Sequence, residues 1–313
     1  MSDIHDVRTA MKQTVLVAVT GAGLLATQSS AQAPECNRDC LIRLNDQYLS
    51  ALVAQDPSGL PWSDRVGHTE NDVGLMIGDG LWGTATRIGE GYAVADSETG
   101  NVVWLGIVEE HGQAAYLGLR LAIAEGEIAE VEAVVGREGP PAAFAPTAGY
   151  AVDAAFSETV PPIRRAPRAR MIALVEGYYN SMQLNDGKVL TEISDDCSRQ
   201  TNGYSTTHGG DIDVEGCRQQ LEIGWYRPVD RVRARRFPVV DEERGVVVAL
   251  AFLDHASRYT SYETLDGQER QVPVEYPNTH GLLELFKIDD GEITRIEGVT
   301  SFQPYLMPTQ WDR

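Results

Sequence analysis

Positive charge is scarce in this chain. Acidic residues outnumber basic ones, 46 to 26, for a formal charge of −20. Such a surface repels phosphate backbones and anionic lipid, so neither a nucleic acid nor a membrane partner is expected for the mature protein. Beyond the N-terminal region no apolar run approaches the roughly 20 residues of a spanning helix. No P-loop, HExxH motif or nucleophile elbow occurs, and no dinucleotide-binding glycine fingerprint is expected. His208, His255 and His280 lack the spacing of metal ligands. A nucleotide- or metal-dependent reaction is therefore disfavoured, and the expected cofactor is none.

What is present begins at the N-terminus. Lys12 precedes the apolar run Val15 to Leu25, and Ala31-Gln32-Ala33 closes the segment. A basic start, a short apolar stretch and an A-x-A site predict a signal peptide over residues 1–33, starting at Met11 and cleaved after Ala33. The expected location is periplasmic or secreted. Export gives the four cysteines a compartment that permits disulfides, and three connectivities are open. Cys36–Cys40 with Cys197–Cys217 is preferred because each pair is local and lies within one half of the chain.

The chain repeats itself. Leu44-Asn-Asp-Gln-Tyr48 matches Leu174-Val-Glu-Gly-Tyr178 at an offset of 130. Val94-Ala-Asp96 to Gly100 matches Val239-Val-Asp241 to Gly245 at 145, and Gly126-Glu-Ile128 to Glu132 matches Gly291-Glu-Ile293 to Glu297 at 165. The growing offset places two insertions in the second copy, one holding Cys197 to Cys217 and one between Asp254 and His280. Each copy reads as a helix followed by strands. Leu41, Leu44, Tyr48 and Leu52 recur at helical spacing, and Asp241 to Gly245 and Asp289-Asp-Gly291 read as hairpin turns. The predicted organisation is a first domain at 34–138, a linker at 139–167 rich in Pro and Ala, and a second domain at 168–313.

Phe286-Lys-Ile-Asp-Asp-Gly-Glu-Ile-Thr-Arg-Ile-Glu297 and its first-copy counterpart Leu121 to Glu132, behind an N-terminal helix, resemble the last hairpin of the nuclear transport factor 2-like superfamily. SnoaL-like cyclases and ketosteroid isomerase-like proteins belong there. The tandem layout is also similar to an uncharacterised secreted family of fungi and bacteria with a paired-cysteine loop in its second copy. The resemblance implies an α+β fold of two tandem cone-shaped units, each a curved antiparallel sheet wrapped around N-terminal helices. It also implies a pocket in the cone. Known members are cofactor-free isomerases, dehydratases, cyclases, lyases and epoxide hydrolases, or only bind ligands, so the fold alone does not decide the chemistry.

The second copy holds more residues able to do chemistry. Asp254-His255 ends an apolar strand and offers a general base with a partner, although alternation lets only one face a pocket. Glu284 interrupts an apolar strand. Arg231, Arg233 and Arg235 are placed on one strand face, where Arg233 or Arg235 would steady an oxyanion. Asn202 and Tyr204 lie in the cysteine loop, Trp225 and Tyr226 follow it, and Tyr259, Tyr262 and Tyr276 lie in the second insertion; such loops commonly close over a ligand. Glu297 is a further candidate contact, although its repeat at Glu132 favours a structural bond. His68, Glu70, Asp79 and Trp82 form a weaker set in the first copy. The leading expectation is a cofactor-independent lyase, isomerase or dehydratase acting on a small hydrophobic or aromatic molecule, with the first copy as support. The alternatives are a ligand-binding or scaffolding protein, and a hydrolase using a carboxylate-activated water. A homo-oligomer is compatible with all three.

Overall fold

The computed structural model describes residues 36–139, 147–208, 214–272 and 274–311. The expected signal peptide with its cleavage point, and linker residues 140–146, lie outside the described residues.

Asn37 caps the first helix by accepting a hydrogen bond from the Cys40 backbone N–H at 3.0 Å. That helix, α1 (Arg38–Ala54), buries Leu41, Leu44, Tyr48, Leu49 and Leu52 along one stripe and stops at Gln55 in the left-handed region. β1 (Trp62–Glu70), β2 (Val73–Gly74), α2 (Leu81–Thr84), β3 (Ala85–Asp96), β4 (Asn101–Glu110), β5 (Gln113–Ala124) and β6 (Glu127–Arg137) follow. The second half repeats the order. Its helix α3 (Arg168–Leu184) stops at left-handed Asn185. Then come β7 (Ile193–Thr201), β8 (Tyr204–Ser205), α4 (Cys217–Glu222), β9 (Arg231–Asp241), β10 (Val246–His255), a small pair β11 (Ser261–Glu263) and β12 (Glu269–Gln271), β13 (Asn278–Asp289) and β14 (Glu292–Pro304).

The two six-stranded sheets have one topology, β2-β1-β6-β5-β4-β3 and β8-β7-β14-β13-β10-β9. The fold is α+β, with two curved sheets each covered by an N-terminal helix. One detail departs from an all-antiparallel sheet. β1 runs parallel to β6 and β7 parallel to β14, because the helix-to-sheet crossover brings the first strand beside the last. β11 and β12 form the separate hairpin of the second insertion. Both expected disulfides, Cys36–Cys40 and Cys197–Cys217, are formed.

Alternation along the central strands explains the layering. On β10, Val247, Ala249, Ala251 and Leu253 join the core under α3, whereas Val246, Val248 and Leu250 join a different cluster. That cluster also contains Val94, Val103, Leu105 and Val134 of the first unit and Leu283 and Val299 of the second. The sheets therefore pack back to back, and strands buried on both faces read as unbroken apolar runs.

Polar contacts across this seam are reciprocal. Arg168, at the start of α3, pairs with Asp96 at the end of β3 at 2.6 Å, and Arg38, at the start of α1, pairs with Asp241 at the end of β9. These two pairs map onto each other under the sequence repeat. Glu132 accepts from Arg120 at 2.7 Å within its own unit and from Arg236 across the seam. Its repeat, Glu297, accepts from Tyr92 at 3.0 Å and from Tyr150 at 2.8 Å. Glu297 is thus a seam residue, and burial pushes its carboxyl up to about 7. Phe156, from the segment between the units, stacks on Tyr92 with centroids 5.5 Å apart.

Candidate functional site

The alternation that builds the seam also sorts the candidate residues. Leu253 and His255 point to the α3 side of the second sheet, and Asp254 points to the other. Asp254 is fully buried there, held by Arg233 through Nε at 2.7 Å and Nη2 at 3.0 Å, and by the Thr279 hydroxyl at 2.7 Å. Its carboxylate lies on the face opposite the cavity described below. The three arginines of β9 do not share a face. Ala234 adopts φ 51° and the register with β10 shifts beside it, so Arg233 turns to Asp254. Arg235 turns to Glu176 and Asn180 of α3, at 2.9 and 2.7 Å. Neither guanidinium enters the cavity.

The cavity lies within the second unit and has a volume of about 580 Å³. Tyr204, Trp225, Tyr226 and His255 line it, together with Arg199, Thr201, Tyr262, Arg270, His280 and Phe302. Five of these, Tyr204, Trp225, Tyr226, His255 and Tyr262, were legible in the sequence as candidates. His280 sits opposite Leu253 in the β10–β13 register, so it shares the face of His255, and the two rings stack at 4.2 Å. Burial drives both imidazoles toward the uncharged form. His255 falls to about 4 despite the acids Asp230 and Asp254, and His280 falls well below 6.5, helped by the neighbouring His255 and Arg199. The Nε2 atoms of both rings, the Thr201 hydroxyl and Arg199 Nε are buried without a hydrogen-bond partner among the described residues.

Beneath them lies a satisfied network. Arg199 Nη2 donates to Glu284 at 2.8 Å, and the Tyr179 hydroxyl donates to the other Glu284 oxygen at 2.9 Å. The Tyr226 hydroxyl, 2.9 Å from that of Tyr178, donates to Gln220 at 3.0 Å. Burial raises Tyr178 and Tyr179 well above the ordinary phenol value and keeps them donors. Glu284 is joined to the cavity lining through its bond with Arg199. The Cys197–Cys217 bond ties β7, which carries Arg199 and Thr201, to α4, which carries Gln220. The β11–β12 hairpin forms the outer wall, anchored by the Tyr262 hydroxyl on the Trp225 carbonyl at 2.9 Å and by Leu265 N–H on the Ile223 carbonyl at 2.8 Å.

The other candidates have structural partners. Asn202 is buried and bridges both backbone groups of Thr300, at 3.2 and 3.0 Å. Asn71 does the same to Val135 in the first unit, at 3.2 and 2.7 Å. Both asparagines adopt the left-handed conformation that suits a tight turn. In the weaker set, His68 bonds the Met76 carbonyl at 3.1 Å, and Glu70 accepts from Leu81 N–H and Arg137. Trp82 packs with Tyr48 and Trp62, ring centroids 5.1 to 6.3 Å apart, and these rings fill the space under α1. The GxGxxG spacing does occur, at Gly78-Asp-Gly80-Leu-Trp-Gly83, against the sequence expectation. It leads into the four-residue α2 rather than a long helix, and the Glu70 carboxylate already occupies the N–H of Leu81 at 2.8 Å. It is not a phosphate cradle. Among the described residues no group of three or more His, Cys, Asp or Glu is arranged to hold a metal, and no helix is long and apolar enough to cross a membrane.

The family model that matches is a domain of unknown function (DUF8021), over residues 164–300. That span contains the disulfide and every cavity-lining residue named above except Phe302. No curated protein matches the chain. Similar solved structures include an LEH-like epoxide hydrolase of M. tuberculosis, 16% identical, covering 42% of this chain and 84% of that one with a TM-score of 0.28. An NTF2-like protein of Cytophaga hutchinsonii is 13% identical, covering 44% and 99% with a TM-score of 0.27. A de novo designed protein with a curved β-sheet is 17% identical, covering 44% and 88% with a TM-score of 0.28. Likeness at this level carries no chemistry across.

The buried imidazoles make stability depend on pH. The unfolded chain takes up protons on these rings near 6.5, whereas folded His255 takes one only near 4. Their contribution is therefore fully present above 6.5 and is lost as pH falls toward 4. Glu297 runs the other way, since its raised carboxyl favours the folded state at low pH and loses that advantage as pH rises through about 7. The His255 effect is isolated by difference. His255→Phe is expected to narrow the stability gap between pH 7 and pH 4 by about 2 kcal/mol, read from urea midpoints. Parallel pH curves for the two proteins would show that the ring is not buried uncharged.

Proposed function

We propose that the second unit binds a small, largely hydrophobic aromatic molecule and acts on it by cofactor-independent proton transfer. The reaction class is isomerisation, elimination or lyase-type cleavage. His255, with His280 stacked on it, takes the proton, and Arg199, oriented by Glu284, stabilises the enolate-like oxygen. One observation carries this reading. Two imidazoles kept uncharged by burial, their Nε2 atoms buried without a hydrogen-bond partner among the described residues, belong to residues that line the same aromatic cavity as a buried guanidinium. At neutral pH such an imidazole is free to accept a proton, and the burial that keeps it uncharged also lowers its basicity.

In this reading the chain is exported, cleaved after Ala33, and organised as domains at 34–138 and 168–313 joined by 139–167. The two disulfides support export. The first domain, its interior filled by Tyr48, Trp62 and Trp82, is the structural partner.

The test is proton exchange. Phenylpyruvate and 2-tetralone are incubated in D₂O with the mature protein, and deuterium entry beside the carbonyl is followed by NMR. Exchange faster than in buffer is expected with at least one of them. His255→Gln is expected to slow it about 100-fold, within the usual range for a positioned base. Exchange equal to buffer with both ketones would remove the base. A second reading, ligand capture without chemistry, would then stand. It is favoured by one feature, that each Glu284 oxygen already holds a donor. The same feature weighs against a hydrolase in which Glu284 activates water.

A further inference from the structure

The cavity wall contains two guanidinium groups, and only one has its charge matched. Arg199 is paired with Glu284 at 2.8 Å. Arg270, on β12, lies over the Trp225 ring at 4.6 Å, its Nε is buried without a hydrogen-bond partner, and no ion pair reaches it among the described residues. The acids nearby are engaged elsewhere. Asp266 feels the charge of Arg270 from the hairpin tip but accepts from the Thr264 hydroxyl. Glu269 also lines the cavity, but it is exposed, makes no ion pair with Arg270 among the described residues and accepts from the Ser261 hydroxyl at 2.9 Å.

A guanidinium over an indole ring still has N–H groups to offer a planar acceptor, and a carboxylate matches a guanidinium fork with two parallel bonds. The surrounding rings, Tyr226, Tyr262 and Phe302, suit an aromatic body. The Arg270 Nε, buried without a partner, bears a desolvation cost that an acceptor on a ligand would offset. We propose that the ligand of this cavity is an aromatic carboxylate whose acid group pairs with Arg270 and whose ring lies toward His255 and His280. This assignment rests on the proposal that the cavity takes a small aromatic molecule.

The experiment is isothermal titration of the mature protein with 2-naphthoate and with methyl 2-naphthoate. The acid is expected to bind at least tenfold more tightly than the ester. Arg270→Gln is expected to erase that preference while leaving the ester's affinity in place, and Arg270→Lys to retain part of it. Thermal midpoints of both variants check folding. Equal binding of acid and ester to the unaltered protein would overturn the carboxylate assignment and leave the aromatic cavity standing. An acid preference that survives Arg270→Gln would do the same. Binding of neither compound at millimolar concentration would overturn both proposals together.

Discussion

Arg199→Met is expected to destabilise the protein by about 3–5 kcal/mol, the usual cost of stranding one member of a buried ion pair. Glu284 is fully buried in the second sheet, and Arg199 supplies one of its two donors. With the guanidinium gone, only the Tyr179 hydroxyl remains to offset the desolvation of the carboxylate. The companion change separates charge from packing. Arg199→Met with Glu284→Leu removes both charges and is expected to recover most of the loss, because an apolar pair of similar volume suits that position between α3 and β13. Equilibrium urea unfolding reads both. A single variant within 1 kcal/mol of the parent would show that the pair does not hold its site, and the orientation of Arg199 would need another cause.

Removing the second disulfide is the other large change. The bond closes a span of 20 residues, for which loop-closure entropy predicts about 3 kcal/mol. Cys197→Ala with Cys217→Ala should lose about that much. Cys36→Ala with Cys40→Ala should lose less, because those residues are only four apart. Both sulfurs of the larger bridge are fully buried, so the parent should resist reductant until it unfolds. The functional consequence is local. β7 carries Arg199 and Thr201 into the cavity, and hydrogen exchange of β7 and α4 amides should rise in the double variant while the first sheet stays protected. Uniform loss of protection across both sheets would mean that the bridge staples the whole fold rather than one wall.

The repeat was legible because hairpin glycines and their flanking acids survive duplication in the same order, at offsets that grow along the chain. The β9–β10 and β13–β14 hairpins follow from those anchors. Local cysteine spacing gave both bridges. The site was harder. His255 could be placed on one face of β10, but which face becomes the cavity depends on the sheet behind it, and nothing local encodes that packing. Ala234 is the clearest loss: its left-handed backbone undoes the alternation that made Arg231, Arg233 and Arg235 look like one cluster. His280 and Arg199 were invisible for a different reason. β10 and β13 are separated by an insertion, so no turn fixes their register, and the parallel pairing of β7 with β14 has no local signal at all. Arg270 belongs to a hairpin absent from the first copy, so the repeat could not draw attention to it.

The reciprocal pairs Arg38–Asp241 and Arg168–Asp96 make the two halves behave as partners in an association that dilution cannot reverse. In a separate pair of single units the seam would form and dissolve by mass action, and each unit would have to tolerate its own exposed face. Joined in one chain, neither half meets that condition. The first half, whose interior under α1 holds the Tyr48, Trp62 and Trp82 rings, is then free to serve fit alone. Expressed alone, residues 168–313 would present Val239, Val248, Leu283 and Val299 to water and leave Arg168 and Glu297 without their partners, Asp96 and Tyr92. The cavity-bearing half is therefore a poor candidate for a minimal folded unit, however self-contained its sheet looks.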